Sequence, residues 1–584
     1  MKRGRVLVSI LPLCILYLLI TACAQQSDTA TPDRAEDAAP PAQTNASVLP
    51  DKEGEAAMDQ VILTFNGQTY TATLADNPSA EAFAALLKNG PLTISTHDYG
   101  NFEKVGSLGT ELPHTDEQIT TVPGDIILYQ GNQITVYYAQ NTWSFTRLGK
   151  IDDPTGLREA LGSGDVEITF SFAVLPYDGV YPKHEPYGVG VGAMPGRVVW
   201  AHDPSCVEWD GSGYWWELSH FDEAAIRDMV NDSIASLGGK ETAKGGWDAL
   251  FRANRESRGK RGGYTVGEKI AIKANINGSA VNDDDTSGKT KMSYTNPVLL
   301  KALLTSLVEE AGVRPADITV YDVSRLFPDY MVELCTRGNL NGVRFVNRDN
   351  GVADQNAPIR WSYSFSGNVN YLPTCVTEAE YVINLANLKG HSYGITLCGK
   401  NHFGSFINGN AMRPPEGANL HQWLTRNEMG IYSPLVDLMA NAGLGGKTVL
   451  YLLDAIICAP SEGASVTGDN AHWQQAPFNG HYTANVFASQ DPVAIDSVGA
   501  DFLMNEPAVT SRNGALRDNP AVENYLHEAG LVGKSPSGTV YTDSQGHTVT
   551  NLGVHEHWNN SMDKQYSRNL GKAEGIELIY IRES

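Results

Sequence analysis

The sequence predicts a multidomain chain: a small, mostly-β barrel followed by a larger α/β domain with a largely parallel sheet. Three observations carry this prediction. At 584 residues, the chain is about four times the usual ~150-residue domain. From about 58 to 174, short β-prone runs meet at turns rich in Asn and Gly. From 175 to 584, strand and helix patterns alternate, as they do when helices cover both faces of a parallel sheet. Charged residues make up 19% and apolar residues 42%, which excludes global disorder. The formal charge of −24 repels phosphate backbones and argues against nucleic acid as a partner.

In chain order, residues 1–22 read as a secretory signal peptide: a basic start at Lys2, Arg3 and Arg5, an apolar run, then small residues. Leu19-Ile20-Thr21-Ala22-Cys23 resembles the bacterial lipobox, which implies a lipid on Cys23 and a membrane as the partner that receives it. The apolar run, interrupted by Pro12, is short of the ~20 residues a spanning helix needs. The expected location is the bacterial cell envelope, with the protein exported and lipid-anchored. After the lipidated Cys, the 23–57 segment has no aromatic residue and few large aliphatics, so it reads as a disordered linker.

Of seven cysteines, Cys206, Cys335, Cys375, Cys398 and Cys458 lie beyond the lipid site. None forms a C-x-x-C pair, which argues against ferredoxin-type iron-sulphur clusters and zinc ribbons. An exported location permits disulfides, but an odd number leaves at least one thiol free or paired between chains.

In the 58–174 module, runs at 61–65 and 68–74 flank Asn66-Gly67, and runs at 125–129 and 133–138 flank Gly131-Asn132. A short helix is expected at 80–87 with Ser79 as its N-cap. Asp76-Asn77-Pro78-Ser79-Ala80, Asp98-Tyr99-Gly100, Pro123-Gly124-Asp125-Ile126 and the run Arg147 to Asp153 resemble the bacterial cyclophilin-like domain. The Phe-His-Arg motif of eukaryote-type prolyl isomerases is absent, so isomerisation is not expected here. Tyr99 and Arg147 read as rim or packing residues.

In the C-terminal module, strands are expected at 269–276, 318–322, 343–346, 381–385, 449–454 and 484–488, without hairpins. Helices are expected from Pro297 towards Gly312, at about 431–442 and at 492–504. Ligands of such sheets bind beyond the carboxyl ends of the strands. That rule singles out Asn275, Asp322, Lys389, His391, Asp454 and Asp491 as strand-end residues, with Lys400, Asn401 and His402 close by in sequence.

In the enzyme reading, the catalytic set is Lys389, His391, Lys400 and Asp454, and the ligand-binding set is Asn275, Asn401, His402 and Asp491. Asp454 is the strongest single candidate, because a carboxylate inside Leu452-Leu453-Asp454-Ala455-Ile456 is costly unless paired or metal-bound. His391 and Asp454 would hold a divalent metal, with Zn²⁺, Mn²⁺ or Fe²⁺ suiting such ligands, or act as base. Lys389 and Lys400 would hold an anionic substrate. Asp491-Pro492 and Asn296-Pro297 read equally well as helix caps, and Asp496 as a residue on a solvated helix face. His555 and His557, two apart, could share a metal ion on a strand, although an exposed polar edge is the preferred reading.

Ile272-Lys-Ala-Asn275, Thr295-Asn-Pro297, the run Val382 to His391, Gly399-Lys-Asn401 with Gly404, Asp454-Ala-Ile456 and the run Asp491 to Asp496 resemble the "domain of unknown function 362" family over about 260–505. The resemblance implies architecture and marks positions, but brings no reaction. The alternative to an enzyme is a non-catalytic envelope lipoprotein that binds or docks a partner. It is favoured by the lack of a G-x-S-x-G elbow, a P-loop or an H-E-x-x-H helix. Neither reading identifies the small-molecule or peptide ligand.

Overall fold

The computed structural model describes residues 60–87, 90–172, 177–280, 282, 284–363, 369–408, 420–424 and 428–582. The expected signal peptide, Cys23 and the expected linker lie outside the described residues. Among the described residues no helix is long and apolar enough to cross a membrane.

The N-terminal strands run in the order Gln68–Leu74, Gln60–Phe65, Val166–Phe172, Leu92–Tyr99, Glu103–Ser107, Gln133–Tyr137, Asp125–Tyr129 and Thr142–Ile151, with Glu117–Thr120 beside the last. Gln68–Leu74 pairs back onto Thr142–Ile151, closing eight antiparallel strands into a barrel without open edges. Asn66 and Gly67, at φ 48° and 72°, supply the left-handed pair that the two-residue hairpin needs. In the second hairpin the left-handed residues are Gln130 and Gly131, one position earlier than the expected pair. Helix Pro78–Leu87 is capped by Asn77, not Ser79: Asn77 Oδ1 accepts from Ser79 N and Ala80 N at 3.0 and 2.9 Å. The proline at N1 moves the cap back by two residues. Val61, Leu63, Phe83, Ile126, Leu128 and Phe170 fill the interior. Tyr99 is exposed, and the half-exposed Arg147 pairs with Asp125 at 3.2 Å, as rim residues do.

The C-terminal domain is built on an eight-stranded sheet in the order Arg344–Val346, Ile318–Tyr321, Ile270–Ala274, Tyr381–Asn387, Thr448–Ala455, Asn485–Ser489, Arg197–His202 and Glu577–Arg582. The sequence reading missed the last two, each a short apolar run at one flank of the domain. All strands share one direction except Asn485–Ser489, which runs antiparallel to both neighbours. The sheet is thus largely parallel, as expected, with this one strand reversed.

Period-2 alternation divides the buried side chains between two cores. Leu450 and Leu452 face one, with helices Glu223–Leu237, Ala243–Ser257 and Pro297–Glu309. Tyr451, Leu453 and Ala455 face the other, with Pro434–Ala440, Pro492–Met504 and Ala521–Gly530. Two of these helices open on Asx-Pro. Asn296 Oδ1 accepts from Val298 N at 2.9 Å, and Asp491 Oδ1 accepts from Ala494 N at 2.9 Å. The five described cysteines are all free thiols, four of them buried.

Candidate functional site

A cleft of about 720 Å³ opens at the carboxyl ends of the parallel strands. Its floor begins with Lys273 in strand Ile270–Ala274. The buried Nζ donates to Ala274 O at 2.7 Å, Asp322 Oδ2 at 2.9 Å and Asn401 Oδ1 at 3.2 Å. Asn275 Nδ2 also donates to Asn401 Oδ1, at 3.2 Å. Asn401 Nδ2 turns the other way and donates to Asn384 Oδ1 at 2.8 Å, so the network fixes the orientation of its amide. Gly404 lets the chain pass beside Asp322: a Cβ there would stand 2.5 Å from Asp322 Oδ1.

One wall is the short helix Cys398–Asn401, which presents Lys400. The N–H groups of Cys398 and Gly399 donate to Asp496 at 2.8 and 2.9 Å, and Tyr525 donates its hydroxyl to the same carboxylate at 3.0 Å. Asp496 is therefore fully buried and positions this helix, in place of the solvated face expected for it. Lys400 Nζ lies 3.2 Å from His421 Nε2 and 3.8 Å above the Phe403 ring. Burial lowers its pKa to about 7, against the pull of Glu462.

His391 Nδ1 accepts from Tyr393 N at 3.0 Å, leaving its Nε2 to carry the ring proton. Burial, reinforced by Lys400, lowers the His391 pKa to about 2, so the ring is a neutral donor. Arg325 lines the same cleft and donates to Asn277 Oδ1 at 3.1 Å.

Of the eight residues singled out in sequence as catalytic or ligand-binding, Asn275, His391, Lys400 and Asn401 line this cleft. The other four stand elsewhere. Lys389 points its ammonium beneath the cleft, where Ser293 O, Asn275 Oδ1 and Asn277 O at 2.7, 3.3 and 3.3 Å take up its three donors. Asp454 accepts from Asn296 N, Asn387 Nδ2 and Ile456 N at 2.6, 3.0 and 3.3 Å, and burial raises its pKa to about 6. It braces a helix start against the sheet and does not line the cleft. His402 is sealed below the floor between Asn384 and Ser405, each at 3.0 Å.

Asp491 leaves the antiparallel strand at the opposite edge of the sheet, since Ser489 pairs with Tyr451 while Val486 pairs with Asp454. There it caps its helix and accepts from Val191 N and Val554 N at 3.0 and 3.2 Å. The charged and imidazole side chains of the cleft not placed in either set are those of Lys273, Asp322, Arg325, His421 and Glu462. Lys273 carried the same sequence signal as Asp454, a charge inside an apolar strand.

No group of three or more metal-ligating side chains among the described residues includes His391 or Asp454. Among the described residues, ligand atoms from three or more His, Cys, Asp or Glu side chains converge at His184, Glu523, His555 and His557, all within 4.8 Å of one another. His555 and His557 are buried, which overturns the exposed-edge reading. Together the four side chains could hold a metal ion.

Residues 63–171 match the Cyclophilin-like family, and residues 270–501 match the Domain of unknown function (DUF362). All the cleft residues named above fall within the second match, and the four residues of the His/Glu cluster fall outside both. No curated protein matches the chain. Among solved structures, the solution structure of the hypothetical protein AF2241 from Archaeoglobus fulgidus aligns at 13% identity and a TM-score of 0.17, covering 20% of this chain and 96% of that one.

Proposed function

We propose that the protein is an exported, lipid-anchored enzyme that binds a small anionic substrate in the carboxyl-edge cleft, with Lys400 as the group that gives or takes a proton. The observation that carries this reading is the placement of Lys400. Its amine is buried on a cleft wall with an imidazole and an aromatic ring as its neighbours, while Lys273 and Lys389 spend their donors on protein oxygens. An amine titrating near pH 7 is matched to acid–base work at neutral pH. Arg325 and the Nε2–H of His391 supply further donors for substrate oxygens. The lipobox-like run ending at Cys23 supports export and anchoring.

Competitive acylation of the full chain at pH 7.5, mapped by peptide mass spectrometry, tests the cleft. Lys400 should be labelled faster than Lys273 and Lys389, and sulfate should slow its labelling. Equal labelling of the three, or no protection, contradicts the reading. In cell fractionation, Cys23→Ala should move the protein out of the membrane fraction; retention there would contradict lipid anchoring.

A further inference from the structure

We infer that His184, Glu523, His555 and His557 form a closed, four-coordinate site for a divalent first-row transition metal, with Zn²⁺ the ion the ligand set fits best. The site is separate from the cleft and does not rest on the function proposed for it.

Three segments distant in sequence meet there. His184 lies in the 177–186 stretch, Glu523 in helix Ala521–Gly530, and His555 and His557 in the extended chain after Gly553. Two residues on extended backbone span about 6.6 Å, and four on a helix rise about 6 Å. His555 and His557 therefore pair in step with Ser497 and Asp501 of helix Pro492–Met504: Nδ1 of each ring meets Ser497 Oγ at 2.9 Å and Asp501 Oδ1 at 2.7 Å.

These partners settle the tautomers. Ser497 Oγ donates its proton to Val493 O at 2.7 Å, so it accepts from His555 Nδ1. Asp501 also accepts from Trp558 N and the Tyr566 hydroxyl at 3.1 and 2.9 Å, so it accepts from His557 Nδ1. His184 Nδ1 faces the Glu185 carbonyl oxygen at 2.7 Å and must donate as well. Each ring thus donates from Nδ1 and turns Nε2 inward, the outer-shell arrangement that orients histidines on a metal; Asp501 and Glu523 raise the pKa of His557 to about 10, so an ion would displace a proton from its Nε2.

The inward atoms are disposed like ligands. His184 Nε2 and His555 Nε2 are 3.2 Å apart, a distance at which two lone pairs repel unless a cation lies between them. His557 Nε2 is 3.2 Å and His555 Nε2 3.6 Å from Glu523 Oε1. The edge of a tetrahedron around an ion held at about 2.0–2.1 Å is about 3.3–3.4 Å, so these three separations match a tetrahedral shell, and the widest, 4.8 Å, has to close on the ion. Glu523 provides an independent sign. Its side chain is 4% exposed, yet Oε2 has no hydrogen-bond partner, so one buried carboxylate oxygen faces no donor. A divalent ion would give that oxygen a partner. His527 Nε2, 2.8 Å from Glu523 Oε1 on the next helical turn, supports the carboxylate from outside.

Four protein ligands leave no open position, so the ion's work is structural. It ties the 506–584 segment, through Glu523, His555 and His557, to His184 ahead of the sheet. The test is the metal content of the full chain, purified in detergent without chelators, followed by removal and replacement with Co²⁺, whose tetrahedral complexes absorb strongly in the visible. About one metal per chain and an intense Co²⁺ spectrum are expected. His555→Ala and Glu523→Gln should lose both, and Asp501→Asn, which keeps every ligand, should weaken affinity about 10–100-fold. Lys400→Met should retain full metal content, which separates this site from the cleft. If the replaced histidine leaves the chain unfolded, the metal-stripped parent decides: a folded parent that takes up neither Zn²⁺ nor Co²⁺ overturns the inference. So does a Co²⁺ spectrum unchanged in Glu523→Gln.

Discussion

Lys273 Nζ and Asp322 Oδ2 lie 2.9 Å apart across two neighbouring parallel strands, with side chains only 1% and 4% exposed. Removing one charge leaves the other buried and unpaired, whereas replacing both with apolar groups leaves no buried charge, only the Ser324 and Ile276 donors that Asp322 accepted from. Asp322→Asn should therefore cost about 3–5 kcal/mol in urea unfolding. The double variant Lys273→Met with Asp322→Leu should lie closer to the parent than either single change. Additive losses would contradict an ion pair as the floor of the cleft.

Lys400 makes a prediction of opposite sign. Burial holds its folded pKa at about 7, while an unfolded lysine titrates near about 10.4. Between those values the unfolded chain binds more protons, so this group makes stability rise with pH from 7 to 10. Below pH 7 both states carry the charge and the whole burial cost is present. In anion-free buffer, Lys400→Met should be more stable than the parent at pH 6 by on the order of 2–5 kcal/mol, with the gap closing towards pH 10. A gap that widens with pH would contradict this.

Asp454→Ala strands the Asn296 and Ile456 amides and the Asn387 side chain, which all donate to this carboxylate. A loss of about 2–4 kcal/mol in chemical denaturation is expected from orphaned buried donors. Metal content should stay unchanged. A variant that loses metal while keeping its stability would return Asp454 to the ligand role its sequence context suggested.

Gly404→Ala places a methyl group 2.5 Å from Asp322 Oδ1. The carboxylate has to move, and Lys273 and Asn401 with it. Anion affinity in the cleft should fall several-fold with little change in far-UV circular dichroism. Unaltered affinity would show that the floor network does not shape the cleft.

The buried polar residues were legible one at a time, but their partners were not. The apolar run around Asp454 announced a buried carboxylate correctly, yet sequence cannot show that three N–H donors wait for it. The position of Asp491 after a strand was also legible. Its edge depends on strand direction, and an antiparallel strand inserted in a parallel sheet looks the same in sequence as its neighbours. Lys273 carried the same signal, a charge inside an apolar strand, but stands in neither expected set. His555 and His557 were recognised as a same-face pair. What made them a cluster were His184 and Glu523, more than 30 residues away at the nearest, brought in by helix packing that leaves no local signature. The barrel was the most readable part, because Asn66-Gly67 encodes its turn locally.

The most direct test of the cleft is sulfate binding to the full chain by isothermal titration at pH 6 and pH 8. Sulfate keeps its charge across that range, and His391 and His421, held at about 2 and about 4, stay neutral throughout. The other charges acting on Lys400 are Glu462, Arg325, Lys273 and Lys389. With Lys400 titrating at about 7, affinity should fall about tenfold between the two pH values, and Lys400→Met should bind weakly and with only the smaller pH dependence left by Lys389, which burial also lowers to about 7 beneath the cleft. Sulfate that fails to bind, or binds Lys400→Met as tightly as the parent with the same pH dependence, would contradict an anion site built on Lys400.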